Sequence, residues 1–116
     1  FAWGFDVSVE YTGCHATGSV PDGGTGTAQL TIHGDHLLYE SLVDHDAGLR
    51  FGVLADADAD GNGDLTPAEL ADFSGVDFQA LDNYDVPAGS GIDNLWDYLS
   101  AQVATLGHID GEGHCD

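Results

Sequence analysis

The sequence predicts an α+β fold: a small antiparallel β-sheet of N-terminal strands, packed against an acidic helix–loop–helix unit and a C-terminal amphipathic helix. Three observations predict it. Residues 1–11 alternate between apolar and polar, the pattern of a half-buried strand. A run dense in aspartate and glycine, residues 58–69, leads directly into a capped helix start. Near the C-terminus, Ile92, Leu95, Trp96, Leu99, Val103 and Leu106 recur at helical spacing, with Gly107 as a stop.

The elements follow in order. Trp3, Phe5, Val7, Val9 and Tyr11 share one face of the first strand, and Ala28, Leu30 and Ile32 resume a period of two in a second strand, expected antiparallel to the first. Gly18, Pro21, Gly23 and Gly24 punctuate the loop between them. Asp35 is a candidate cap for a short helix over His36–Val43, and a further helix is expected over Ala47–Ala55, weakened by Gly48 and Gly52. Thr66, Pro67 and Glu69 form a capping-box signature for a helix over Pro67–Phe73, which Ser74 and Gly75 end. A weak helical turn is expected over Asp77–Asn83, and Ser90 is the expected cap of the last helix. That helix's apolar stripe reads most simply as core packing. At 116 residues the chain suits one core, so 1–116 is one domain: strands in 1–33, the helix–loop–helix unit in 47–73 and the C-terminal helix in 91–107.

Charge narrows the function. The formal net charge is −20, from 21 acidic residues against Arg50 alone, and most of the acids are aspartate. Such a chain repels itself unless cations, salt or a cationic partner neutralise it. Nucleic acid is excluded as a partner, because phosphate binding needs clustered lysine and arginine. No apolar run reaches the length of a membrane span. The chain starts at Phe1 and has no Met, which suggests a mature product of an exported protein, secreted or held at the cell surface. Cys14 and Cys115 are candidates for one long-range disulfide, which an oxidising compartment would permit.

Asp58, Asp60, Asn62, Gly63, Asp64 and Glu69 carry the strongest motif. Over roughly Ala47–Phe73 the sequence resembles the EF-hand calcium-binding family. The resemblance implies that Asp58, Asp60 and Asn62 offer side-chain oxygens, Gly63 permits the sharp turn and Asp64 ligates through its carbonyl. Leu65 would take the hydrophobic position, Thr66 would act directly or through water, and Glu69 would close the site with both oxygens. A frame two residues earlier, starting at Asp56, would put Pro67 at the closing position, where proline cannot coordinate. A second loop is not evident: Asp44, Asp46 and Gly48 lack the spacing, and 82–89 lacks the closing glutamate. A single loop without methionines fits a structural calcium site better than a sensor.

Six histidines are present. His33, His36, His108 and His114, with Asp110 as another candidate, are donors suited to Zn²⁺ or Cu²⁺; they can equally be polar loop residues. A Cys14–Cys115 bridge would also bring His15 near His114, while His45 reads as surface. No nucleophile motif supports catalysis, and the chain is read as a non-enzyme. Two functions remain. One is an extracellular calcium-binding structural or assembly protein, a subunit of a surface or fibre assembly that self-associates by addition of its N-terminal strand. The other is a secreted, histidine-rich copper or zinc binding protein with a structural calcium site.

Overall fold

The segments on either side of the acidic loop bury leucine and valine on one side and aspartate on none, so they dock on a common core and leave the loop at its edge. The computed structural model describes residues 2–3, 8–14, 20–44, 46–73, 84–109 and 113–114, the side chains of 2, 3, 113 and 114 excepted. Among these it shows a mixed fold of short α-helices and a small antiparallel sheet.

Strand β1 is Ala2–Trp3, β2 is Leu30–Ile32, and a 3-10 helix covers Gly34–Leu38. Helix α1 (Gly52–Asp56) and helix α2 (Pro67–Asp72) flank the loop, which contains the short strand β3 (Asp64–Leu65). Helix α3 is Leu95–Val103, and β4 (Gly107–Ile109) and β5 (Gly113–His114) follow it. The antiparallel sheet has the order β2-β4-β5, with Thr31 opposite His108 and His108 opposite His114. Separately, β1 pairs in parallel with β3, Trp3 lying opposite Leu65.

Val53 and Leu54 from α1, Ala57 just after it, Leu65 from β3, Leu70 from α2, and Leu95, Tyr98 and Leu99 from α3 form one buried cluster with Tyr84. Each fully buried leucine contributes roughly 1.5–3 kcal/mol relative to exposure. Three anchors therefore hold the loop: Leu54 before it, Leu65 within it and Leu70 after it. The Leu95 N–H donates to Phe73 O at 3.0 Å and ties the end of α2 to the start of α3. Deeper in, Tyr98 donates its hydroxyl to Tyr39 O at 2.8 Å, and Gln102 donates to Ser41 O at 3.0 Å. These bonds satisfy polar groups in an apolar setting.

Several sequence expectations are corrected. The second strand pairs antiparallel with β4, and β1 pairs in parallel with β3, so among the described residues the N-terminal strands do not form a sheet with each other. Residues 8–11, expected to continue the first strand, have no regular structure. Tyr11 instead reaches across to donate its hydroxyl to Val103 O at 2.8 Å, and its ring occupies the space a Cβ at Gly107 would need. The helix expected over His36–Val43 is the 3-10 helix Gly34–Leu38; Asp35 lies inside its first turn and does not cap it. The helix expected over Ala47–Ala55 begins only at Gly52, because Gly48 O and the Arg50 N–H are engaged by Glu40 and Leu38. The last helix is capped by Asn94, whose side chain accepts the Asp97 N–H at 2.9 Å, and not by Ser90. Gly91 sits at φ +76, outside helical space, so the chain cannot enter a helix there. Gly107 opens β4. The turn expected over Asp77–Asn83 lies outside the described residues.

Candidate metal centres

The acidic loop is shaped by its own side chains. Asp58 Oδ2 accepts the Gly63 N–H at 2.9 Å across the turn, Asp60 Oδ1 accepts the Asn62 N–H at 3.0 Å, and Asn62 Oδ1 accepts the Asp64 N–H. These are the local turns that short polar side chains make with nearby backbone. Gly61 at φ +69 and Gly63 at φ +85 occupy left-handed conformations that side chains resist. The outcome is a curl whose carboxylates face inward.

Glu69 closes the curl. Its carboxylate accepts the Thr66 N–H at 2.9 Å and the Thr66 hydroxyl at 2.7 Å, while Thr66 Oγ1 accepts the Glu69 N–H at 3.2 Å, a complete capping box. The Thr66 hydroxyl and N–H hold the Glu69 carboxyl below its ordinary value, and the backbone of Asp60 and Ala59 adds to this. The same carboxylate therefore reaches back to the start of the loop. Asp58, Asp60 and Glu69 each bring an oxygen within 4.8 Å of the other two, and Asp58 Oδ1 is buried with no hydrogen-bond partner. Three carboxylates at that separation repel one another unless a cation lies among them. Asp64 is exposed at the start of β3, and the Asn62 amide donates to Asp60 Oδ2 at 2.8 Å.

The histidines form a second cluster at the end of β2. The ring centroids of His33 and His108 are 4.4 Å apart, those of His36 and His108 5.1 Å, and those of His33 and His36 5.5 Å. Three elements assemble them: the residue after β2, the 3-10 helix and the centre of β4. The His33 N–H donates to Leu106 O at 2.9 Å, which locks that corner onto the segment before β4. His36 and His108 are buried and His33 is half-buried. His114 is placed opposite His108 in the β4–β5 register; its side chain, like Asp110, His15 and His45, lies outside the described residues. Cys115, and with it the expected Cys14–Cys115 bridge, also lies outside them.

Two participants carry no sequence signal. His36 Nδ1 donates to Thr105 O at 2.9 Å and lies 3.1 Å from Thr105 Oγ1, a pairing across 69 positions that no local motif announces. Gln102, 1% exposed, reads in sequence as the polar face of a helix. No described helix is long and apolar enough to cross a membrane. No protein-family model, no curated protein and no solved structure matches this chain.

Proposed function

We propose that the chain is a calcium-binding structural domain whose loop Asp58–Glu69 holds one Ca²⁺ in the manner of an EF-hand. The single observation that carries this reading is the Asp58 carboxylate. One oxygen shapes the turn through Gly63, the other is buried without a partner, and the carboxylate has an oxygen within 4.8 Å of oxygens of Asp60 and Glu69. A buried carboxylate oxygen left unpaired is costly, and a hard cation relieves that cost. The donor set is all oxygen, which suits calcium over softer ions.

In this reading Asp58, Asp60, Asn62 and Glu69 ligate through side chains and Asp64 through its carbonyl. Leu54, Leu65 and Leu70 would transmit the order of the loop to the core. The charge of −20 supports the same role, since a bound divalent ion offsets local repulsion. A Cys14–Cys115 disulfide and an extracellular setting, where calcium is abundant, belong to the proposal. Self-association by strand addition is its less supported part, because β1 is already paired with β3 of its own chain.

Isothermal titration of chelator-stripped protein with CaCl₂ tests the reading. One equivalent should bind to the wild type, with affinity sharply reduced in Asp58→Asn; equal heats from the two proteins would refute it. Sedimentation in calcium and in chelator tests assembly, and a monomer in both removes that part.

A further inference from the structure

We propose that His33, His36 and His108 form a second metal site, selective for a nitrogen-preferring divalent transition ion, Cu²⁺ or Zn²⁺. It is separate from the acidic loop and does not rest on the calcium reading. The proposal stands first on assembly. Three imidazoles from positions 33, 36 and 108 meet with centroids 4.4–5.5 Å apart. Ligand atoms of His33 and His36 lie within 4.8 Å of each other and of Asp35, and the His108 ring packs against both imidazoles.

The state of the His36 ring can be read from its surroundings. Thr105 O is a carbonyl and can only accept, so the proton of His36 resides on Nδ1 and its Nε2 carries a lone pair. This is the arrangement by which a backbone carbonyl orients a ligating histidine. Thr105 Oγ1, itself donating to Gln102 O at 2.8 Å, braces the same nitrogen and ties it to the end of α3. For His33, Nδ1 faces Asp35 Oδ1 at 4.0 Å, while Nε2 is buried and has no hydrogen-bond partner. A nitrogen removed from water and bonded to nothing is the independent mark of a missing ligand. His33, Asp35 and His36 also each bring a ligand atom within 4.8 Å of the others. Asp35 accepts the Tyr39 hydroxyl at 3.2 Å, which holds its carboxylate beside His33 as a further candidate donor.

The donor set selects the ion. Three imidazoles with one nearby carboxylate suit Cu²⁺ and Zn²⁺ and do not suit Ca²⁺. The sequence has no methionine, so the thioether donors that favour Cu⁺ are not supplied here. Among divalent ions Cu²⁺ should bind more tightly than Zn²⁺.

The test is titration of the chelator-stripped full chain with CuSO₄ and separately with ZnCl₂, both in saturating calcium, with electron paramagnetic resonance of the copper form. One tight equivalent is expected, with hyperfine coupling from several nitrogens. Affinity should fall on the order of tenfold or more in His33→Ala and in His108→Ala, and by less in Thr105→Val, which keeps the orienting carbonyl and removes only the hydroxyl brace. Glu69→Gln should leave copper binding unchanged, which separates this proposal from the calcium loop. Because His36 is buried, the half-exposed His33 is the decisive variant, with circular dichroism confirming its fold. Unchanged copper affinity in folded His33→Ala, or several weak equivalents without nitrogen coupling, would overturn the site.

Discussion

Asp58 Oδ2 accepts the Gly63 N–H at 2.9 Å while Asp58 Oδ1 is buried without a partner. The relationship divides one carboxylate between two tasks. The oxygen that meets Gly63 sets the curvature of the loop, its twin is left without a partner, and the carboxylate lies within 4.8 Å of those of Asp60 and Glu69. A glycine at 63 is required because its φ of +85 would strain any side chain.

Glu69→Gln separates ligation from capping. Glutamine can still accept from the Thr66 N–H and hydroxyl, so the capping box persists, but the charge and the two-oxygen grip are lost. Calcium affinity should fall on the order of tenfold or more, while most of the calcium-free stability remains. Calorimetric titration and thermal unfolding in chelator, run side by side, check both halves.

Thr66→Ala attacks the cap itself. Removing the hydroxyl that accepts the Glu69 N–H at 3.2 Å should cost about 1 kcal/mol in urea unfolding, even in chelator. Thr66→Ser should restore nearly all of it. Equal midpoints for wild type and alanine variant would mean that α2 does not depend on its cap.

Glu69 also makes a pH prediction. Its folded carboxyl is held below the ordinary value, chiefly by the Thr66 hydroxyl. The charge therefore stabilises the fold above the ordinary glutamate value of about 4.3, and that contribution fades as pH falls through the lower folded value. Acid simultaneously relieves the general repulsion of a chain with 21 acidic residues, so total stability is the wrong readout. The difference between wild type and Glu69→Gln in chelator isolates the group. It should be constant above about pH 5 and shrink in acid; a difference that grows as pH falls contradicts the assignment.

Gln102 and Tyr98 support the core around the loop. Gln102 Nε2 donates to Ser41 O and, at 3.0 Å, to Tyr98 Oη. Gln102→Leu should destabilise by about 1–3 kcal/mol, since the hydrogen bond to Ser41 O is lost in a buried setting. Burial pushes the Tyr98 hydroxyl well above the ordinary tyrosine range. Its neutral form therefore adds stability that is fully present below about pH 10 and is lost as pH rises through the folded value. In an alkaline spectrophotometric titration Tyr98 should ionise only with unfolding, a step absent from Tyr98→Phe.

The parts of this molecule that were legible in sequence are those fixed within a few residues. Thr66, Pro67 and Glu69 announce α2 because a capping box is completed inside one turn. Leu95 and Leu99 announce α3 by their period, and the acidic loop is legible because its turns are made by its own aspartates. What was not legible depends on partners far along the chain. β2 finds β4 across the whole helical region, so the alternation near the N-terminus misdirected the pairing. Tyr11 fits an alternating strand equally well, yet its hydroxyl is drawn to Val103. Ser90 and Asn94 both suit a cap, and the choice follows from the left-handed Gly91. The grouping of His33, His36 and His108 could be suspected from composition, but the Thr105 carbonyl that orients His36 belongs to backbone and leaves no trace in residue identity.

The most direct measurement of the central claim is the melting temperature as a function of free calcium, with magnesium as control. An ion held only by the native loop stabilises by mass action, about 2.7 kcal/mol at a hundred times its dissociation constant, or a rise of roughly 10 °C for a chain of this size. The account predicts a rise that continues with the logarithm of calcium concentration and is abolished by Asp58→Asn. A melting temperature indifferent to millimolar calcium would contradict it.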